Sequence, residues 1–180
     1  MKQIKQLVDD EFIHKELPEF NLPIEEYSRM LDSVVMANAD IICHTADGKV
    51  LLGVRSYRPL KGKLWIFGGR MKPGESLNDT AKRNIKRELG IDANPKRLLI
   101  SDVYNIMWGG RHEPPQEYGF QTMMTIMTYE CNPMEAELVT TADDTHHNLR
   151  WYSRKEIHNM EELGELHPFL PVVLRDAGLL

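Results

Sequence analysis

One stretch constrains the fold more than any other, the run GGRMKPGESLNDTAKRNIKRELGI from Gly68 to Ile91. Its paired glycines let the backbone approach another chain segment or a ligand closely, or take φ > 0. Pro73-Gly74 is turn chemistry. Ser76, with Asp79 three residues on, predicts a helix N-cap close to the capping-box pattern. From Leu77 to Leu89 no Gly or Pro interrupts the helix, and Gly90 is placed to stop it. Leu64-Trp65-Ile66-Phe67 ahead of the glycines reads as a short buried strand, with Trp65 in the core. The chain is therefore organised around a strand, a glycine loop and a helix.

Charged residues at fixed positions turn this connection into a candidate site. Gly69, Glu75, Arg83, Glu88 and Gly90 stand where the Nudix hydrolase signature, G-x5-E-x7-R-E-U-x-E-E-x-G-U with U apolar, requires Gly, Glu, Arg, Glu and Gly. Ile85 and Ile91 fit its apolar positions. The chain resembles that family on these residues, and the resemblance implies an α/β fold, a Nudix-type α/β/α sandwich with a mixed sheet. Two signature glutamates are replaced by Asn84 and Arg87. In a full box these carboxylates lie at i, i+3 and i+4 with Glu88, on neighbouring rows of one helix, where hard oxygen ligands hold magnesium against a diphosphate. With Glu88 alone, a multi-magnesium site on this helix is not expected. The degenerate box resembles that of the GDP-mannose mannosyl hydrolases, a Nudix branch with the same two glutamates replaced.

That closer resemblance implies roles elsewhere in the chain. Asp40, in an apolar strand over Ala39–His44, matches an aspartate of the family's substrate site. Arg55, ending Leu51-Leu52-Gly53-Val54-Arg55, matches an arginine that faces the substrate diphosphate, and Arg70 joins it beside the glycines. His146 stands four residues before Arg150-Trp151, the spacing of a general base; His147 is the one-residue alternative. Acidic neighbours Asp143 and Asp144 favour a raised pKa for that base. The family's glutamine metal ligand is replaced by Thr145, so one Mg²⁺ (Mn²⁺ as the alternative) is expected on Glu88, the Gly68 carbonyl, Thr145, phosphate oxygens and water. Glu75 and Arg83 are expected to support the box by pairing.

The remaining chain supplies the frame. Residues 1–22 are read as an N-terminal extension with a short amphipathic helix, from Ile4, Leu7, Val8 and Phe12 at helical spacing; residues 23–180 are the Nudix-like domain. A helix is expected over Pro23–Met36 and strands over Lys49–Arg55, Lys96–Tyr104 and Tyr118–Tyr129. Between the last two, Trp108 to Glu117 is a glycine- and proline-rich loop whose Trp108, Arg111 and His112 are candidates for base or sugar contact, or else surface residues. Asn132–Asn148 reads as acidic and turn-rich, followed by a strand over Leu149–Tyr152. Ser153 with Glu156 caps a helix to about Met160, and Pro168–Ala177 is a last helix. Cys43 and Cys131 lie in apolar runs and read as buried free thiols.

Composition narrows the function classes. A net charge of −5 argues against a general nucleic-acid binder. The first thirty residues are too acidic for a signal peptide, and no apolar run approaches a membrane span, so a cytoplasmic location is the default. The leading expectation is a Mg²⁺-dependent nucleotide-sugar hydrolase that acts on a GDP-mannose-like substrate and forms a homodimer, as the resemblance implies. Water placed by His146 would attack the sugar C1, and Mg²⁺, Arg55 and Arg70 would neutralise the departing nucleoside diphosphate. Two other readings stand beside it: an ordinary Nudix diphosphatase cleaving P–O bonds, and a catalytically silent nucleotide-sugar-binding domain.

Overall fold

A computed structural model describes residues 22–180. The extension proposed for residues 1–22 falls almost wholly outside the described residues. The first described helix, α1 (Ile24–Ser33), ends earlier than its sequence suggests, and Met36 opens the first strand instead. The strands are β1 (Met36–His44), β2 (Val50–Arg55), β3 (Leu64–Trp65), β4 (Phe67–Arg70), β5 (Leu98–Trp108), β6 (Phe120–Glu130) and β7 (His146–Tyr152). They form one sheet in the order β3-β2-β1-β6-β5, with β4 added to β1 and β7 to β2. β1 and β6 run parallel from Met36↔Thr122 to His44↔Glu130, and every other pair is antiparallel. The sheet is mixed, as expected.

Alternation along β1 builds a core on each side of the sheet. Ala39, Ile41 and Cys43 face α2 (Leu77–Leu89) and pack with Ala81, Ile85 and Leu89. Ile42 belongs to the opposite core, with Ile157 of α4 (Arg154–Glu162) and Leu170, Val173 and Leu174 of α5 (Phe169–Asp176). Each fully buried leucine or isoleucine in these layers contributes about 1.5–3 kcal/mol. Cys43 and Cys131 are buried and unpaired. Among the described residues no helix is long and apolar enough to cross a membrane.

Helix α2 is held at both ends, by the reciprocal Ser76–Asp79 capping box and by the Gly90 N–H bonded to the Lys86 carbonyl. Its buried face reads Thr80, Ala81, Asn84, Ile85, Glu88, Leu89, so three polar side chains sit within an apolar stripe. Buried polar groups require partners, and those of Asn84 and Glu88 define the site.

Three expectations are corrected by the fold. β1 begins at Met36 rather than Ala39, which puts Asp40 in the middle of the strand, buried. The histidine pair belongs to strand β7, not to a preceding loop. Within the segment read as turns, Pro133–Leu138 forms α3, started by a capping box of Asn132 with Glu135 and by Pro133 in its first turn.

Candidate active site

Antiparallel pairing sets Gly68 opposite Asp40 and Gly69 opposite Ala39. A cleft of about 220 Å³ opens here, floored by Met36, Asn38 and Asp40 of β1 and by Thr122 and Met124 of β6. Its walls include Tyr27 and Leu31 of α1, Arg55, Trp65, Gly68–Arg70, Trp108, His112, Phe120 and Thr145. Asp40, Arg55, Arg70, His112, Gly68 and Thr145, all proposed from sequence, therefore share one cavity.

The loop ahead of α2 is fixed by Glu75. Its carboxylate accepts from the Lys72 N–H (2.8 Å), the Thr80 hydroxyl (2.9 Å) and Arg83 Nη2 (2.7 Å). Arg83 also donates to the Arg70 carbonyl at 3.0 Å and to Asn84 Oδ1 at 3.0 Å. Burial pushes the Glu75 carboxyl up, but the bonds from Arg83, Lys72 and Thr80 outweigh it and hold it at about 2. The stabilisation is complete above pH 4.5 and lost as pH falls through about 2. Glu75→Gln should therefore lower unfolding free energy by about 2 kcal/mol at pH 7. Urea melts at pH 7 and near pH 2 check this, the difference shrinking in acid.

Arg87 occupies the centre of the degenerate box. Its Nη2 contacts Glu88 Oε1 at 2.5 Å and donates to the Gly68 carbonyl at 3.2 Å and Asn84 Oδ1 at 3.3 Å. Its Nη1 reaches Asp143 Oδ2 at 2.7 Å and Thr145 Oγ1 at 3.3 Å. Glu88 is 2% exposed, and its Oε1 also accepts from the Gly68 N–H at 3.2 Å.

His146 is not on the cleft wall. It is 2% exposed, its ring lies 5.0 Å from Phe67, and Nδ1 stands 3.0 Å from Glu88 Oε2. That approach is short but not aligned as a hydrogen bond, and both ring nitrogens are buried without a partner among the described residues. Gly53 on the paired strand makes room, since a Cβ there would stand 3.0 Å from His146 Cβ. The residue expected to serve as base is thus buried away from the cleft lining; alternation along β7 turns it inward to Glu88.

Two arginines and one carboxyl remain in the cleft. Arg55 donates through Nε to the Pro59 carbonyl at 2.9 Å, and burial lowers its pKa against the opposing charges of Asp40 and Glu88. Arg70 lies with Cζ 4.8 Å from the centre of the Tyr27 ring. Burial raises the Asp40 pKa to about 7, with Arg55 pulling it down and Glu88 pushing it up. Its Oδ1 has no partner among the described residues.

Trp108 packs edge-on to Trp65 at 6.0 Å, and its indole N–H donates to Thr122 at 3.2 Å. Arg111, proposed as a ligand contact or a surface residue, is neither. It is fully buried, donating to Asp32 at 2.6 Å and to the Ser28 hydroxyl at 2.7 Å, and so ties the β5–β6 loop to α1.

The NUDIX domain family model matches residues 35–176, and the chain belongs to that family. It is 26% identical over 143 residues to a putative nudix hydrolase 1 of Caenorhabditis elegans, covering 78% of this chain and 35% of that protein. Over 82 residues it is 29% identical to the low-salt glycan biosynthesis protein Agl8 of Haloferax volcanii, covering 46% of this chain and 52% of that one. The chain thus spans between a third and about half the length of these relatives. The NUDIX domain of Shewanella oneidensis NrtR, solved with ADP ribose, superposes with a TM-score of 0.58 at 14% identity, covering 87% of this chain and 97% of that one. This likeness shows the fold.

Nudix hydrolases generally use divalent metal ions such as Mg²⁺ or Mn²⁺. The donors expected to hold one here do converge, but on a guanidinium. Glu88 Oε1, the Gly68 carbonyl and Thr145 Oγ1 are each bonded to Arg87. Among the described residues no group of three or more His, Cys, Asp or Glu side chains is arranged to hold a metal. The donor set as it stands does not fit a divalent ion.

Proposed function

We propose that the chain hydrolyses a nucleoside diphosphate sugar of the GDP-mannose type at the sugar C1, releasing the nucleoside diphosphate and the hexose. The observation that carries this reading is the joint presence of Arg55 and Arg70 in one cleft whose helix lacks two of the three box carboxylates. Two cations suit a diphosphate, and their charge stabilises it as a leaving group. The lost carboxylates, now Asn84 and Arg87, weaken the case for attack at phosphorus. Tyr27, Trp108 and Phe120 offer flat apolar walls for a base or a sugar ring. The name of the Haloferax relative, a glycan biosynthesis protein, is compatible with a sugar-linked substrate.

Asp40 is the proton acceptor in this scheme. A carboxyl held near pH 7 at the base of the cleft is matched to take a proton from water. The water oxygen bonds to C1, the C1–O bond breaks, and its electron pair leaves with the diphosphate. His146, buried against Glu88, is a positioning group. A silent binding domain is the competing reading, since Arg87 and His146 fill the places where box chemistry is expected.

Hydrolysis of GDP-mannose in ¹⁸O-labelled water decides among these, with products identified by mass. Label in mannose and none in the nucleotide is the expected result. Label in GMP or mannose 1-phosphate would establish attack at phosphorus. Tight binding without turnover would favour the silent domain.

A further inference from the structure

Arg87 is the feature that the hydrolytic scheme leaves unused. Its side chain is 42% exposed, yet it does not simply extend into solvent. Its guanidinium is folded back over the paired glycines, touching residues from three separate parts of the chain. These are the Gly68 carbonyl, Glu88 and Asn84 on α2, and Asp143 with Thr145, which lines the cleft. All five contacts are oxygen atoms, two of them from carboxylates. A buried carboxylate with a backbone carbonyl and a hydroxyl beside it is a hard-cation environment, and a guanidinium supplies five N–H donors to the same kind of acceptors.

We infer that Arg87 is a built-in cation that takes the place of a divalent metal in this box, so that the cleft engages its ligand's diphosphate without one. Three considerations carry this. The positive charge lies 2.5 Å from the Glu88 carboxylate that is the helix's single remaining box glutamate, so Glu88 is neutralised in place. A second cation on those donors would meet like-charge repulsion at close range. Asn84 presents its amide oxygen to both Arg83 and Arg87, at 3.0 and 3.3 Å, where a glutamate would compete for the arginine and recreate a metal ligand. The two departures from the signature are thus one coordinated change, with Asn84 receiving what Arg87 brings.

Asp143 completes the arrangement. It holds the outer edge of the guanidinium at 2.7 Å and is itself fixed by accepting from the Thr145 N–H at 2.9 Å. The loop carrying Thr145 is therefore anchored to the box through Arg87, a tie that a bound ion would otherwise provide. The diphosphate part of the inference rests on the proposed nucleotide-sugar substrate; the absence of a divalent site does not.

The full chain titrated with Mn²⁺, followed by electron paramagnetic resonance of the free ion, tests the second part directly. Wild type should leave the free-ion signal unchanged. Arg87→Gln and Arg87→Ala, which release Glu88 and Asp143 together, should take up Mn²⁺ roughly tenfold or more tighter. Circular dichroism of both variants establishes that they are folded, and Arg87→Lys keeps the charge should both fail. Calorimetric binding of GDP-mannose, in EDTA and in Mg²⁺, tests the first part. Wild-type affinity should agree within about twofold between the buffers, and Arg87→Gln should lose about tenfold in EDTA. Mn²⁺ binding by wild type as tight as by the variants would overturn the inference, as would a wild-type affinity that collapses in EDTA. Failure of GDP-mannose and GDP to bind wild type in either buffer would instead sink the proposed substrate, leaving the Mn²⁺ result to decide the role of Arg87.

Discussion

Gly68→Ala should abolish folding or cost at least about 3 kcal/mol. Gly68 has φ +151°, and a Cβ there would stand 2.5 Å from both the Ala39 carbonyl oxygen and Asp40 Cα. Both are backbone atoms of the central strand, so no side-chain rotation relieves the clash. Gly69 separates this effect from backbone strain alone. It has φ +155°, but its nearest prospective contacts are 3.7 Å away, at side-chain atoms of Arg87 and Asn84. Gly69→Ala should therefore cost about 1–3 kcal/mol. Urea denaturation of both variants measures the gap. A Gly68→Ala chain within about 1 kcal/mol of wild type would show that β4 does not approach β1 as closely as described.

Asp40→Asn should act in the opposite direction on stability. In the folded chain burial holds the Asp40 carboxyl at about 7, against 3.8 for a free side chain. The folded state thus binds more protons than the unfolded state between those values, and wild-type stability falls as pH rises through that window. Asparagine carries no charge and removes the fall, so the variant should gain up to a few kcal/mol over wild type by pH 8. The same substitution removes the proposed proton acceptor, so turnover should drop by about 100-fold or more. Denaturation and rate measurements from pH 5 to 8 check both. Parallel stability curves would contradict the buried carboxyl, and full turnover would remove Asp40 from the chemistry.

Much of this molecule is legible in its letters because the informative signals are local. The α2 capping box, the uninterrupted helix and the glycine stop all lie within the stretch from Ser76 to Gly90, and each appears as expected. The Asn132–Glu135 capping box of α3 was equally local, but the acidic, turn-rich composition around it masked the signal. The burial of Asp40 and His146 was hidden for another reason. With the strand read from Ala39, Asp40 stands near its start, and paired histidines among acids read as part of a turn-rich segment. What buries them is distant, Gly68 of β4 for one and Gly53 with Glu88 for the other. Arg87 shows the same limit. Its identity revealed that a ligand was gone, but not that its guanidinium would gather Gly68, Asp143 and Thr145, which only the folded chain brings together.

Helix α1 ends at Ser33, before the family-matched segment begins at residue 35. Yet Tyr27 and Leu31 wall the cleft, and buried Arg111 bolts the helix to the β5–β6 loop through Asp32 and Ser28. Part of the cleft wall is therefore assembled from residues that lie outside the segment the family's pattern matches. Inheritance can act on the two halves of this cleft separately. The box half lies within the family-matched segment, while α1 lies outside it and is joined to the β5–β6 loop through Arg111. A change in what the cleft accepts can then arise through Tyr27, Leu31 or His112 while every signature position stays the same. Relatives that share this box are related in descent, and their ligands have to be read from the other wall.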